Sequence, residues 1–255
     1  MGNNDNRRSI EARILFDESP IASGVLRDVS TVPLPVPMPS HGDIIQTITS
    51  RDCASLPEST MNLCDEILLS CEESLLKPVL IYADFSVRSV EQDEGVLLQG
   101  GCGLSCPGRL FEGASHAIAA IGTIGSDLES QVAIAFQSGD PFYAVVMDAI
   151  GSLTLTRMIK AFFNACSAKA AEVDMRIGPR ISPGCHRTPL SNQETLFSLL
   201  DASRIGVTLS SSYLMSPIKS FSLFLPLGKA IPASLQSSDL CRFCNLKERC
   251  HSRYI

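Results

Sequence analysis

The chain has no run of about eighteen uncharged apolar residues, so no segment reads as a membrane-spanning helix. Its longest apolar-rich stretch, QVAIAFQSGDPFYAVVMDAIGSLTLT, is broken by Gly139, Asp140, Pro141 and Asp148. Positive charge is not in excess. With 21 Lys and Arg against 27 Asp and Glu, the formal net charge is -6, which argues against a broad nucleic-acid-binding surface. No P-loop and no G-x-G-x-x-G is present, and the glycine-rich GGCGLSCPG fits neither phosphate-loop spacing. The four histidines are isolated, His41 and His116 among them, and they form no Ser/His/Asp arrangement. The polar opening MGNNDNRRSIEAR lacks the apolar core of a signal peptide, and Asn6 stands where a myristoylation signal requires Ser or Thr. These absences lead us to expect a cytoplasmic protein with neither membrane nor nucleic acid as partner.

What is present is a chain of 255 residues, 45% hydrophobic, long enough for an ample core. Its ten cysteines, in that compartment, read as reduced thiols and not as a disulfide framework. Cys64 and Cys71 fall on an apolar stripe at helical spacing, and Cys166 on another with Ile159, Phe162 and Phe163, so these three are expected in the core.

Residues up to about 24 read as a mobile arm or peripheral helix. Prolines at 33, 35, 37 and 39 then enforce an extended strap lying on the main body. The spacing predicts a helix over 59–76, strands at PVLIYADFSV and GVLLQG, a short helix at RLFEGASHAI and a buried strand at AIAAIGTIG. SDLE at 126–129 and SNQE at 191–194 read as capping boxes opening helices. A long, largely buried helix is expected over 140–170, EVDMRIG as a strand, and GVTLSSSYLMSP and KSFSLFLPLG as the last two strands. Paired strands with helices gathered between them predict an α+β fold with a largely antiparallel sheet. The expected organisation is an arm and strap over 1–40, a body over 41–232 and a cysteine-rich tail over 233–255.

One segment carries candidate site chemistry. Arg180 precedes a Ser-Pro-Gly turn formed by Ser182, Pro183 and Gly184, which exposes backbone amides and brings main chain close to a ligand. A guanidinium beside a rigid turn suits a carboxylate. A plain tight turn with Arg180 in solvent meets the same pattern. Cys185, flanked by His186 and Arg187, has the surroundings of a reactive or metal-ligating thiolate.

The segment RISPGCHRTPLSNQETLFSLLDASRIGVTLSSSYLMSPIKSFS resembles the reactivation domain of cobalamin-dependent methionine synthase, and more closely its stand-alone bacterial relatives. The family's R-x-x-P-G-Y turn is matched by Arg180, Pro183 and Gly184. Its following strand pair is matched by Met215, Pro217, Ser220 and Ser222. AIGTIGSDLES and GDPFYAVVMDAIGSLTL are similar to the family's strand-to-helix junction and long helix, so the resemblance covers roughly residues 75–228. It implies the activation-domain fold, a twisted sheet with helices packed on it. It also implies a shallow groove for S-adenosylmethionine and transfer of its methyl group to a cobalamin (corrinoid) reduced from an inactive state. In that scheme Arg180 meets the methionine carboxylate, backbone around Ser182, Pro183 and Gly184 holds the rest, and Asp174 is the matching upstream acid. The partners implied are a corrinoid protein or free corrinoid, and an electron donor such as ferredoxin or flavodoxin. Cys185 replaces the family's tyrosine, and Ser210 and Ser211 replace its Thr-Glu pair. Those replacements support an alternative, a non-catalytic corrinoid- or partner-binding module that has lost S-adenosylmethionine binding.

The chain ends in LCRFCNLKERCHSRYI, where Cys241, Cys244 and Cys250 have metal-ligand spacing. Three cysteines leave a fourth ligand to be found elsewhere, and His251 is too close to Cys250 for easy joint ligation. Spacing alone does not choose between an iron–sulfur cluster and a structural zinc. The resemblance, with its corrinoid redox chemistry, points to iron–sulfur, while the binding-module alternative pairs with zinc.

Overall fold

The computed structural model describes residues 8–31, 33–49, 57–91, 95–185 and 187–235. Its centre is the pair β3 (Val79–Glu91) and β6 (His116–Thr123), antiparallel over eight residue pairs from Val79–Thr123 to Ser86–His116. On the far side of β6 runs β10 (Ser220–Gly228), also antiparallel and buried along its whole length. Outside β10 lies the two-residue strand β7 (Arg176–Ile177). On the other flank, β1 (Ser9–Phe16) joins β3 in parallel, and β2 (Leu34–Pro37) closes that edge antiparallel to β1. The outer half of β3 pairs with β4 (Gly95–Leu98), which pairs with β5 (Gly103–Leu104). Among the described residues these eight strands form one sheet, and the α+β, largely antiparallel expectation holds.

Two cores sandwich the sheet, because alternate side chains of every central strand meet apolar cover. On one face Leu80, Tyr82, Ile118, Ala120, Leu223 and Leu225 pack under four helices. These are α1 (His41–Thr49), α2 (Glu58–Ser70), α3 (Asp127–Gln137) and α4 (Pro141–Glu172). On the other face Ile81, Ala83, Ala119, Ile121 and Phe224 pack under α5 (Asn192–Leu199) and the 3-10 turns Gly108–Phe111 and Ala202–Ile205. A small hairpin, β8 (Thr208–Leu209) with β9 (Met215–Ser216), leads into β10.

Helix α4 is long and apolar enough to cross a membrane by length and composition. In this fold it is a core helix, with Val146, Ile150, Met158, Phe162 and Cys166 buried against the sheet and the other helices. Asp140 caps it, accepting the Tyr143 N–H at 3.0 Å, and Pro141 occupies its first turn. Gly151 allows α3 to come close, since a Cβ there would stand 2.5 Å from Leu128 Cδ2.

Several local expectations are corrected. Residues 9–16 are strand β1 and neither arm nor peripheral helix, because alternate residues Ala12 and Ile14 are buried. The proline strap contains β2, an edge strand, where a missing proline N–H costs no ladder bond. The expected helix at RLFEGASHAI is only the short 3-10 turn. Neither capping box forms, since Ser126 and Ser191 make no side-chain cap bond. Glu129 instead accepts the N–H of Ile218 at 2.7 Å, so a tertiary contact takes the carboxylate that a local cap would have used.

A charged residue sits in the helix-side core. Asp84 is fully buried and accepts from Ser23 Oγ, from Val25 N at 2.9 Å and from Leu26 N at 3.3 Å. Beside it, the Tyr82 hydroxyl donates to Leu26 O at 2.7 Å and accepts from Ser30 N at 3.1 Å. Together they tie the 23–30 segment onto the sheet.

Candidate ligand turn

The candidate site grows from the open edge of β10. After β7 the chain continues along that edge, Gly178 N donating to Pro226 O at 2.7 Å. Ile181 then exchanges both backbone bonds with Phe224, at 2.9 and 2.8 Å. The next hydrogen-bonding position on that side of an antiparallel pair would match Ser222 with Pro183. Proline has no N–H, and the chain turns away. The main-chain groups of Ser222 therefore project toward the departing turn.

The turn itself follows from its residues. Ser182 O accepts the N–H of Cys185 at 3.0 Å, with Pro183 and Gly184 between them and Gly184 at φ +85°. Proline presets the first corner and glycine adopts the left-handed second corner, which is a type II turn. A second turn follows at once, Thr188 N donating to Cys185 O at 2.8 Å, with Arg187 at φ +63°. Thr188 O closes the loop by accepting Gly184 N at 2.8 Å.

This arrangement modifies one expectation. The amides of Gly184 and Cys185 bond within the loop, so the turn offers a ligand close main-chain approach and not a row of open donors. The polar groups with chemistry to offer are the half-buried Arg180, whose Nε is enclosed, and Ser182. Cys185 and Gly184 are exposed at the tip. The far end of the loop is held by Asn192, whose Nδ2 donates to Ser105 O at 2.7 Å while its Oδ1 accepts Ser105 N at 3.2 Å. This clamp lay hidden inside the apparent capping box. Two buried acceptors nearby, Thr188 Oγ1 and Gln193 Oε1, have no hydrogen-bond partner among the described residues.

Arg180, Ser182, Pro183, Gly184 and Cys185 are thus contiguous on one sheet edge. Asp174 is not brought to them. It lies two residues before Arg176, and the Arg176–Gly228 pair is itself about four strand residues, roughly 13 Å, from the Ile181–Phe224 bridge. There its exposed carboxylate meets Lys229 at 3.4 Å. Ser210 and Ser211 belong to the β8–β9 hairpin, where Ser210 Oγ accepts Leu214 N at 3.0 Å. Cys241, Cys244, Cys250 and His186 lie outside the described residues. Among the described residues no group of three or more His, Cys, Asp or Glu is placed to hold a metal.

Among the described residues, the cysteines other than Cys185 are internal. Cys64, Cys71, Cys106 and Cys166 are buried, and Cys102 is half-buried. Burial pushes the thiols of Cys71 and Cys106 up to about 12, and that of Cys166 upward as well. One cavity lies away from the turn, and another reaches the far end of its loop at Ser105 and Asn192. One of about 610 Å³ runs beside α1, α2 and α4, with Asp43, Asp65, Leu68 and Arg157 in its wall, and one of about 350 Å³ follows β4 and β5.

No family model and no curated protein matches this sequence. Among solved structures, the fold is similar to that of the MetH reactivation domain bound to AdoHcy, with a TM-score of 0.54 and 14% identity. The match covers 74% of this chain and 70% of that one. The likeness establishes the shared fold.

Proposed function

We propose that this chain acts in the reactivation of a corrinoid, binding S-adenosylmethionine or its demethylated product at the Arg180 turn. The observation that carries the reading is Arg180 entering a type II turn at the open edge of β10. The fold is that of a domain solved with AdoHcy, which adds support. The donor set fits an amino-acid ligand. Arg180 supplies a planar cation for the carboxylate, Ser182 a hydroxyl, and Gly184 an approach unobstructed by a Cβ. The methyl group passes from sulfonium to the corrinoid cobalt once an electron has reduced that cobalt, leaving S-adenosylhomocysteine. The partner is a corrinoid protein or free corrinoid, with a ferredoxin- or flavodoxin-like electron donor. The tail cysteines Cys241, Cys244 and Cys250 would hold an iron–sulfur cluster that relays the electron.

Cys185, Ser210 and Ser211 favour a second reading. The tip lacks an aromatic platform, and the hairpin presents serines where a carboxylate would pair with a cationic ligand. In this version the chain is a corrinoid- or partner-binding module and the tail is a zinc staple. Titration of the full chain with S-adenosylmethionine, S-adenosylhomocysteine and cob(II)alamin separates the two. Binding of both adenosyl ligand and corrinoid supports reactivation, and binding of corrinoid alone supports the module.

A further inference from the structure

We infer that Asn192 is a positioning residue for the Arg180 turn, setting how the turn stands toward the Arg180 guanidinium. The inference rests on the proposed ligand site and names what aligns its two halves. Arg180 precedes the Ile181–Phe224 bridge, so its backbone belongs to the edge beside β10. The turn begins at Ser182, after those last ladder bonds, and Pro183 has no N–H with which to extend them. Inside the loop three bonds hold the shape: Cys185 N to Ser182 O at 3.0 Å, Thr188 N to Cys185 O at 2.8 Å and Gly184 N to Thr188 O at 2.8 Å. None of these three reaches the sheet. A loop that is stiff within but hydrogen-bonded to the sheet at one end can pivot about that end. A second anchor removes the pivot.

Asn192 supplies it. Its side-chain amide grips both main-chain groups of Ser105, Nδ2 donating to the carbonyl at 2.7 Å and Oδ1 accepting the N–H at 3.2 Å. Two bonds to one residue fix direction as well as distance. The residue gripped is itself held, because its neighbours Leu104 and Cys106 are buried in the core that α5 covers. Apolar packing of the loop adds cohesion, but such contact is non-directional and does not select one orientation. Asn192 is only 5% exposed, whereas Ser105 is exposed. Water can therefore replace the clamp at Ser105 when Asn192 is removed, so stability falls little while alignment is lost. Thr195 provides the contrast. One turn further along α5, its Oγ1 donates to Gly103 O at 3.1 Å, tying the same helix to the same strand but beyond the end of the loop.

The test compares the full chain with Asn192→Ala, Thr195→Val, Arg180→Ala and the Asn192→Ala/Arg180→Ala pair. NMR relaxation of the Gly184, Cys185 and Thr188 backbone amides reads the anchor without ligand, and calorimetric titration with S-adenosylhomocysteine reads its effect. The expected result is greater motion at those amides in Asn192→Ala and none added in Thr195→Val. Affinity is expected to fall about tenfold in Asn192→Ala and to stay within about twofold of the parent in Thr195→Val, with similar small shifts in melting temperature. In the Arg180→Ala background, Asn192→Ala is expected to cost less than about threefold, since no guanidinium remains to be aligned and the two effects cannot add. Unchanged relaxation in Asn192→Ala overturns the inference without reference to any ligand. An affinity loss that Thr195→Val matches overturns it too, as does one that persists undiminished in the Arg180→Ala background. If Asn192→Ala binds like the parent while Arg180→Ala binds weakly, the inference is overturned and the ligand site stands. If the parent does not bind S-adenosylhomocysteine, the ligand site fails and the inference falls with it.

Discussion

Ile181 and Phe224 exchange two backbone hydrogen bonds, and one residue later the chain leaves the sheet. That departure is fixed by Pro183, which cannot donate to the ladder, and by Gly184, which accepts the left-handed corner. The candidate ligand turn is therefore a consequence of two residues ending a strand beside an arginine.

Gly184→Ala tests the corner directly. A Cβ there would meet only Leu190 Cδ1 at 3.4 Å, so space is ample and the penalty comes from φ. The expected cost is about 1 kcal/mol of stability. Ligand affinity should fall more than stability does, because the turn shifts. Paired thermal melts and titrations of the variant measure both.

The thiols should separate by reactivity. At pH 8 an alkylating reagent is expected to modify Cys185 in native, metal-free protein and to spare Cys71 and Cys106, whose thiols burial pushes up to about 12. Peptide mapping by mass spectrometry reads the outcome. Rapid native labelling of Cys71 would contradict the two-sided core.

Asp84 anchors the 23–26 segment through one hydroxyl and two amides. Asp84→Ala leaves those donors without a partner in a buried site and is expected to cost about 3 kcal/mol. Denaturant unfolding measures it. A change below about 0.5 kcal/mol, the range of ordinary surface substitutions, would contradict the anchor.

Asp43 offers a pH test. Burial alone would raise its pKa, but hydrogen bonds from Ser40 and the charge of Arg157 outweigh that and hold it below the ordinary 3.8. A carboxylate depressed in the folded state contributes stability above its unfolded pKa and loses it as pH falls through the folded value. The stability difference between the parent and Asp43→Asn should therefore be constant above about pH 5 and close as pH drops below 3.8. Because the group is partly exposed and screened, the difference is expected to be small. Melting points over pH 2.5–7 read it, by the same linkage.

Much of this was legible in the residues, and the exceptions have physical causes. Helix α2 announced itself through 3.6-residue periodicity, α3 through the SDLE spacing at its start, α4 through its long apolar stretch, and the Pro183 and Gly184 turn through its chemistry. β1 did not, because its stabilising partner is β3, over sixty residues away and parallel, so no local turn signals the pairing. SDLE and SNQE had capping-box spacing, yet Glu129 and Asn192 found tertiary partners at Ile218 and Ser105. Arg180 to Cys185 was readable as a strand end and turn, whereas the separation of Asp174 from it by β7 depends on a register that only the fold sets.

The most direct test of the central claim is calorimetric titration of the full chain and of Arg180→Ala with S-adenosylmethionine and S-adenosylhomocysteine. The account predicts one-to-one binding to the parent and a loss of tenfold or more in Arg180→Ala, about 1.4 kcal/mol or greater, with the melting temperature unchanged. Equal affinity in the two proteins would remove Arg180 from the site. Absence of binding to the parent would contradict the adenosyl-ligand assignment itself.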